Sequence, residues 1–297
     1  MPSARDVRAP TARAGETRVP DRPYATDFRA SAPTIGGGAP DPTETPVPSS
    51  DETPQTDLDR ALDGVEGWFS PEQVARVVER ASQVPPTGRI VEIGSFRGRS
   101  MIAIARAAPA GVEIVAIDPH AGNDRGPQEI EGFEDEAAVD SKVFLTNLER
   151  AGVRERVTYV RKFSHDAHGD VDGAIDMLHI DGAHRYGPAS DDIASWGARV
   201  VDGGSILVHD SFSSVGVTLA LATKLMFSGG WRYVGRSRSL AEYRREPVRG
   251  TARVANVGRQ LAQLPWFARN VAIKVLIVAK LPQLTKLLGH TGENWPY

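Results

Sequence analysis

The chain has no cysteine. Disulfides and thiolate metal sites are therefore excluded, and any metal must be held by oxygen or imidazole. Long apolar runs are also lacking. No stretch of about eighteen uncharged apolar residues occurs, and the N-terminus has no continuous hydrophobic segment of the kind that directs secretion. The expectation is a cytoplasmic protein without a spanning helix. A surplus of positive charge is missing as well, since 35 Lys and Arg face 38 Asp and Glu for a net charge of -3. A polyanionic partner would need a local basic patch, and the central sequence shows none, so nucleic acid is not an expected substrate.

Large apolar residues are nearly absent from positions 1–57, where Pro, Ala, Thr, Ser and Gly dominate. Such a tail cannot bury enough surface to offset its ordering entropy, and disorder is expected there. The folded domain is expected over 58–247. Ser70-Pro71-Glu72 opens a helix, with an N-cap residue, a proline at the first helical position and an acidic first turn. Short β-rich runs then alternate with helical patterns. Arg89–Ile93, Glu113–Ile117, Val157–Val160, Ala174–Ile180 and Ser205–Val208 read as buried strands. Ser100–Ala107, Glu134–Ala151, Pro188–Arg199 and Val215–Ser228 read as helices. The alternation predicts an α/β, Rossmann-like fold with a mostly parallel sheet covered on both faces. Trp231–Arg236 and Ser239–Arg244 close it as an antiparallel hairpin, giving seven strands.

A third segment, 248–297, reads as a helical extension. Between Trp266 and Leu281, Arg269, Asn270, Lys274 and Lys280 fall on one side of a helical wheel, and apolar residues fill the wide remainder. That apolar face needs a cover. The core, a second copy of the chain in a homo-oligomer, or peripheral contact with the inner face of a membrane would each supply one.

Gly94 and Gly98 supply the tight first βα turn at which an open α/β sheet binds a nucleotide cofactor. Their spacing, Gly-x-x-x-Gly, lacks the middle glycine that admits a pyrophosphate in dinucleotide sites. Glu92, just before the turn, would repel a diphosphate but can bind the ammonium of a methionine moiety. Asp118 ends the next strand, where a carboxylate can accept from both ribose hydroxyls. A Rossmann-like fold with some other ligand remains open on these features alone.

Five stretches, taken in order, carry a resemblance. They are Val91-Glu92-Ile93-Gly94-Ser95-Phe96-Arg97-Gly98-Arg99-Ser100, Ile117-Asp118-Pro119, Phe163-Ser164-His165-Asp166-Ala167, His179-Ile180-Asp181-Gly182-Ala183-His184-Arg185-Tyr186, and Gly203-Gly204-Ser205-Ile206-Leu207-Val208-His209-Asp210. Together they resemble the class I S-adenosylmethionine (SAM)-dependent methyltransferases, in the group of cephalosporin hydroxylase-like proteins and macrolide sugar O-methyltransferases. The resemblance implies a SAM-dependent O-methyltransferase acting on a hydroxyl of a small-molecule or glycosyl acceptor. Carried over by position, Glu92 and Gly94 would meet the methionine end, with Ser95, Gly98 and Asp181 completing the cofactor site. Asp118 would meet the ribose, and Ser164 would lie by the adenine. The run Arg161-Lys162-Phe163 departs from the family, which more often has a small residue and an acid before that serine.

Asp181 ends one strand and His209-Asp210 ends the next, so their side chains should converge on the cofactor's rim. Metal-dependent catechol O-methyltransferases hold magnesium with residues in matching places. Asp181, His209 and Asp210 are thus the expected metal ligands and Mg2+ the expected ion, although an imidazole is a poor match for magnesium's preference for oxygen. His184 stands where those enzymes carry a lysine base, and it is the expected catalytic base. His120 and the loop Gly122-Asn123-Asp124-Arg125 sit where relatives place covering loops. Two other readings use the same motifs: a non-catalytic SAM-binding module whose tails recruit partners, and an NAD-dependent oxidoreductase, which Glu92 and the missing glycine oppose.

Overall fold

In the computed structural model, every predicted strand forms. The described residues are 54–121 and 134–290; the expected tail up to residue 53 and the loop Gly122–Arg125 lie outside them. Helices α1 (Pro54–Leu62) and α2 (Pro71–Ser82) lead into β1 (Arg89–Ile93), α3 (Arg99–Ala107) and β2 (Glu113–Ile117). Then follow α4 (Glu134–Arg150), β3 (Val157–Val160), β4 (Ile175–Ile180), α5 (Tyr186–Ser195), β5 (Val200–Val208) and α6 (Val215–Leu221). The hairpin β6 (Trp231–Ser237) and β7 (Leu240–Arg245) precedes α7 (Gly250–Leu261) and α8 (Leu264–Val278).

The sheet order is β3-β2-β1-β4-β5-β7-β6. The first five strands are parallel, and β7 is antiparallel to both β5 and β6. The chain leaves β1 toward β2 on one side and resumes at β4 on the other. That reversal opens a crevice at the carboxyl ends of β1 and β4, where such sheets bind ligands. Val77, Ile102, Ile104 and Phe144 fill one face, and Ile193, Trp196, Val217 and Leu221 fill the other. Both faces are dry, which is why the central strands read as near-continuous apolar runs rather than alternating ones.

Some boundaries differ from expectation for local reasons. α1 opens at Pro54, one turn before the expected start at 58, because Leu58 and Leu62 find the core. α5 starts at Tyr186, so Pro188 occupies its first turn, where the missing N–H costs nothing. β5 begins at Val200 and crosses Gly203-Gly204, and the β4–β5 register shifts between Ile175 and Met177. α6 ends in a π-helical turn over Ala222–Met226.

The C-terminal segment corrects the sequence reading most. Over Gly250–Val278, 29 residues, an 18-residue window reaches a mean hydropathy of 1.3, so by length and composition this stretch is apolar enough to cross a membrane. No uncharged run exists because Arg269 and Lys274 interrupt it. The polar stripe is also the side that docks. Asn270 is fully buried and donates to the Phe212 carbonyl (3.3 Å) and Lys274 Nζ donates to the Ser213 carbonyl (3.0 Å), while Arg269 reaches the Leu288 carbonyl (2.7 Å) farther along the same extension. The core therefore covers polar residues and leaves much of the apolar remainder outside.

Candidate active site

Strand register levels the site. Ile93 pairs with Ile180, and Ile180 with Val208, so Gly94, Asp181 and His209 leave their strands in one row. The ladder continues for one bond more, from Asp181 N to Ile93 O and from His209 N to Ile180 O, each 2.8 Å. Position 94 must be glycine. Its φ is +85°, and a Cβ there would stand 2.2 Å from the Asp181 carbonyl oxygen.

The turn after β1 is pinned on several sides. Asp118 Oδ2 accepts the amides of Ser95 and Phe96, both at 2.8 Å, while Oδ1 accepts His120 N–H. His120 is buried, not part of an open loop. Its Nε2 donates to the Phe96 carbonyl (2.7 Å) and its Nδ1 accepts from Tyr159 O–H (2.6 Å), which fits the neutral Nε2–H tautomer. Asn147 of α4 holds the Arg97 carbonyl (2.8 Å), and Gly98 lets Phe144 approach. Phe96 is kept at φ +45° and stacks on Trp68 at 5.3 Å. A non-glycine residue in this region costs of order 1 kcal/mol and persists only where its surroundings over-determine it.

Glu92 is fully buried, opposite His179 on β4. Its Oε1 meets His179 Nδ1 at 2.9 Å, while Oε2 has no hydrogen-bond partner among the described residues. The Ser95 hydroxyl is likewise buried without a partner. Ser164 lies in a 3-10 turn after β3 and donates to Asp192 Oδ1 at 2.5 Å. With its proton committed, its oxygen can only accept, as it would from an amine. Asp192 escaped the sequence reading. Burial pushes its carboxyl up to about 6, against the Ser164 hydrogen bond that lowers it.

Past β4 and β5 the expected catalytic residues meet. His184 Nε2 is 2.8 Å from Asp210 Oδ2; the imidazole is 40% exposed and the carboxylate 4%. His209 Nδ1 lies 3.1 Å from Asp181 Oδ1 and 3.3 Å from Asp210 Oδ2. Burial would raise both carboxyls, but the imidazoles beside them hold both below the usual range. Burial disfavours charge on His184, yet Asp210 raises its pKa. Asp210 and Phe212 both have positive φ, +54° and +55°, in the tight turn after β5 that aims Asp210 inward.

His209 is sandwiched from below. Phe69 stacks on it at 5.5 Å, and Gln73 Nε2 reaches His209 Nε2 at 3.1 Å. The Gln73 carbonyl is already taken by the Ser70 amide (2.7 Å) in the capping box of α2, so its NH2 must face the ring. His209 Nε2 is then an acceptor and Nδ1–H the donor to the carboxylates. Asp181 and Asp210 pull toward a charged imidazole, but a proton on Nε2 would face the amide hydrogens.

The described group whose ligand atoms could share one cation is Asp181, His184 and Asp210, all within 4.8 Å of one another. His184 thus takes the third place expected of His209. Among the described residues, Asp210 Oδ1 is buried without a hydrogen-bond partner, as an acceptor awaiting a cation or donor would be. Gly216 is a further residue invisible in sequence. Its Cα faces the loop so closely that a Cβ would lie 2.3 Å from the His184 carbonyl oxygen.

Residues 91–211 match the family model described as a methyltransferase domain. No curated protein matches the sequence. Among solved structures, similar folds include the O-methyltransferase NovP (18% identity, 59% of this chain and 80% of that one, TM-score 0.48). TomG from Streptomyces achromogenes, an O-methyltransferase in complex with SAM, is 18% identical over 64% of this chain and 89% of its own, TM-score 0.45. An O-methyltransferase from Bacillus cereus is 17% identical over 64% and 85%, TM-score 0.41. At such distances the chemistry has to be argued from this chain's own residues.

Proposed function

We propose that residues 91–211, which match a methyltransferase-domain family model, form a class I, SAM-dependent methyltransferase domain, and that this enzyme methylates a hydroxyl of a small-molecule or glycosyl acceptor with His184 as base. The observation that carries this reading is the His184–Asp210 pair at 2.8 Å, set beside Asp181 at the level of the glycine turn. The SAM sulfonium supplies an activated methyl group. The chain's residues have then to hold it, align the acceptor and take the acceptor's proton.

The glycine turn suits that cofactor. Glu92 Oε2 and Ser95 Oγ are buried acceptors without partners among the described residues, which an amino-acid ammonium could satisfy, and no middle glycine makes room for a diphosphate. Asp118 fixes the turn through two amides and keeps lone pairs for ribose hydroxyls. Ser164 Oγ, limited to accepting, matches an adenine amine. Asp210 orients the His184 ring through Nε2, and the acceptor's proton goes to the ring nitrogen remote from Asp210. The carboxylate then stabilises the imidazolium. Two carboxylates on the acceptor's side would repel a polyanion, which favours a neutral hydroxyl over nucleic acid.

Replacing His184 with alanine should lower transfer of tritiated methyl from SAM by about 100-fold or more, with calorimetric SAM affinity unchanged. Equal transfer by both proteins across a panel of phenolic and sugar hydroxyl compounds would remove the base assignment. A second reading has its own observation, the orphaned Asp210 Oδ1 within the Asp181, His184, Asp210 group. A divalent cation held there would polarise the acceptor hydroxyl, and His184 would then be a ligand rather than the base. An imidazole in the set suits manganese or cobalt better than magnesium. Activity abolished by a chelator and restored by manganese would favour that reading.

A further inference from the structure

The C-terminal helices are amphipathic in the reverse sense from most surface helices. On α8, Leu264, Ala268, Val271, Val275 and Val278 recur at spacings of four, three, four and three, which puts them on one side. That side points away from the protein: Leu264 is 40%, Val275 60% and Val278 65% exposed. The opposite side is anchored by Asn270, fully buried Ile273 and Trp266, over whose ring the Arg236 guanidinium sits at 3.9 Å. The 3-10 helix Pro282–Leu288 continues the pattern. Leu281, Leu284 and Leu287 are 48%, 44% and 84% exposed, and with three residues per turn they eclipse into one row.

Charge indicates what covers this surface. Between positions 248 and 290 stand seven Arg and Lys and not one Asp or Glu, in a chain whose net charge is -3. Arg253, Lys280 and Lys286 are exposed beside the leucines and valines. A second copy of the same surface would bring like charges together as its apolar rows met. An anionic bilayer offers the opposite: headgroups for the basic residues and acyl chains for the side chains between them. The stretch is long enough to cross a membrane, but Asn270 and Lys274 tie α8 to the carbonyls of Phe212 and Ser213 in the domain. It therefore lies flat. We infer that residues 250–288 form an interfacial anchor that seats the protein on an anionic phospholipid surface.

The anchor adjoins the site. Asn270 and Lys274 hold the carbonyls of Phe212 and Ser213, two and three residues after Asp210. If the methyltransferase reading holds, on which this extension rests, the fitting acceptor is a hydroxyl carried by a lipid or a lipid-linked sugar.

The test is co-sedimentation of the full chain with phosphatidylcholine vesicles and with vesicles containing phosphatidylglycerol. Binding is expected only to the anionic vesicles, weakened by salt. Lys280→Glu with Lys286→Glu should lower partitioning by roughly 20-fold or more, at about fivefold per basic residue lost. Val275→Glu with Val278→Glu should abolish binding while thermal midpoint and SAM affinity stay unchanged. Wild-type protein that ignores anionic vesicles, or variants that bind as well as wild type, would overturn the proposal. So would a lipid-free dimer in sedimentation velocity that Val275→Glu dissociates, since the second copy would then be the cover. SAM calorimetry on the same samples separates the two readings: vesicle binding without SAM binding would leave the anchor and remove the enzyme.

Discussion

Asp192 offers a quantitative test that needs no acceptor. It is 5% exposed and its carboxyl is pushed up to about 6 by burial. Its value in an unfolded chain is near 3.8, so the shift is about two units, or roughly 3 kcal/mol at 1.36 kcal/mol per unit. A raised folded-state pKa favours the protonated native form. The contribution is fully present below about pH 4 and disappears as the pH climbs through about 6. Above that, the native state holds a buried carboxylate relieved chiefly by the Ser164 hydrogen bond. Asp192→Asn keeps the shape and still accepts from Ser164, but cannot ionise. The variant should therefore match wild type near pH 4 and be more stable by about 1 to 3 kcal/mol at pH 7.5. Urea denaturation of both proteins at half-unit steps, compared as the difference in unfolding free energy, reads this directly. A difference that stays flat from pH 4.5 to 7.5 would refute the reasoning, as would a variant less stable than wild type at pH 7.5.

The remaining predictions concern the site. Gly216→Ala would place a Cβ 2.3 Å from the His184 carbonyl, against an ordinary contact of at least 3.4 Å; the His184 loop must shift by about 1 Å, which should cost on the order of 100-fold in kcat. SAM affinity by calorimetry should stay unchanged, and unaltered turnover would show that the loop does not position the base. Glu92→Gln should weaken SAM by about 10- to 100-fold if the carboxylate meets the ammonium; an unchanged Kd would confine Glu92 to its pairing with His179. The rate of methyl transfer should rise with pH through a midpoint above the usual imidazole value of about 6.5, because Asp210 raises the His184 pKa and only the neutral ring accepts a proton. Asp210→Asn should move that midpoint downward, and a midpoint indifferent to this change would separate His184 from the observed titration.

What the sequence disclosed and what it hid follow from distance along the chain. The β1 turn was legible because its requirements are local: a positive φ at Gly94, a close approach at Gly98 and an acid at the next strand end. The convergence of Asp181, His184, His209 and Asp210 was legible because parallel strands in register put their ends on one rim. Which imidazole joins which carboxylate was not. Gln73 and Phe69, brought from α2 and the loop before it, hold His209 so that its Nδ1 meets both Asp181 and Asp210, while His184 meets Asp210 alone among these two carboxylates at ion-pair distance. Gly216 is hidden for the same reason, since its close neighbour lies 32 positions away. Asp192 is a different case. Ala189, Ile193 and Trp196 are apolar at spacings of four and three, and a wheel drawn on them turns Asp192 inward and neighbouring Asp191 outward, so the signal was present in the helical phase.

The C-terminal helix shows the limit of such wheels. They separate a polar from an apolar side but do not say which side faces the protein, because burial of Asn270 and Lys274 depends on carbonyls that become available only when the turn after β5 adopts positive φ at Asp210 and Phe212. That turn serves two tasks at once. It aims Asp210 at His184, and it exposes the backbone oxygens of Phe212 and Ser213 that dock α8. A substitution that relaxes it should therefore loosen the C-terminal helix and misplace the base together. Phe212→Gly, which removes a fully buried ring while accepting the left-handed backbone, should show both effects: faster hydrogen exchange in α8 and a fall in methyl transfer. Loss of one without the other would show that the helix and the catalytic pair are held independently.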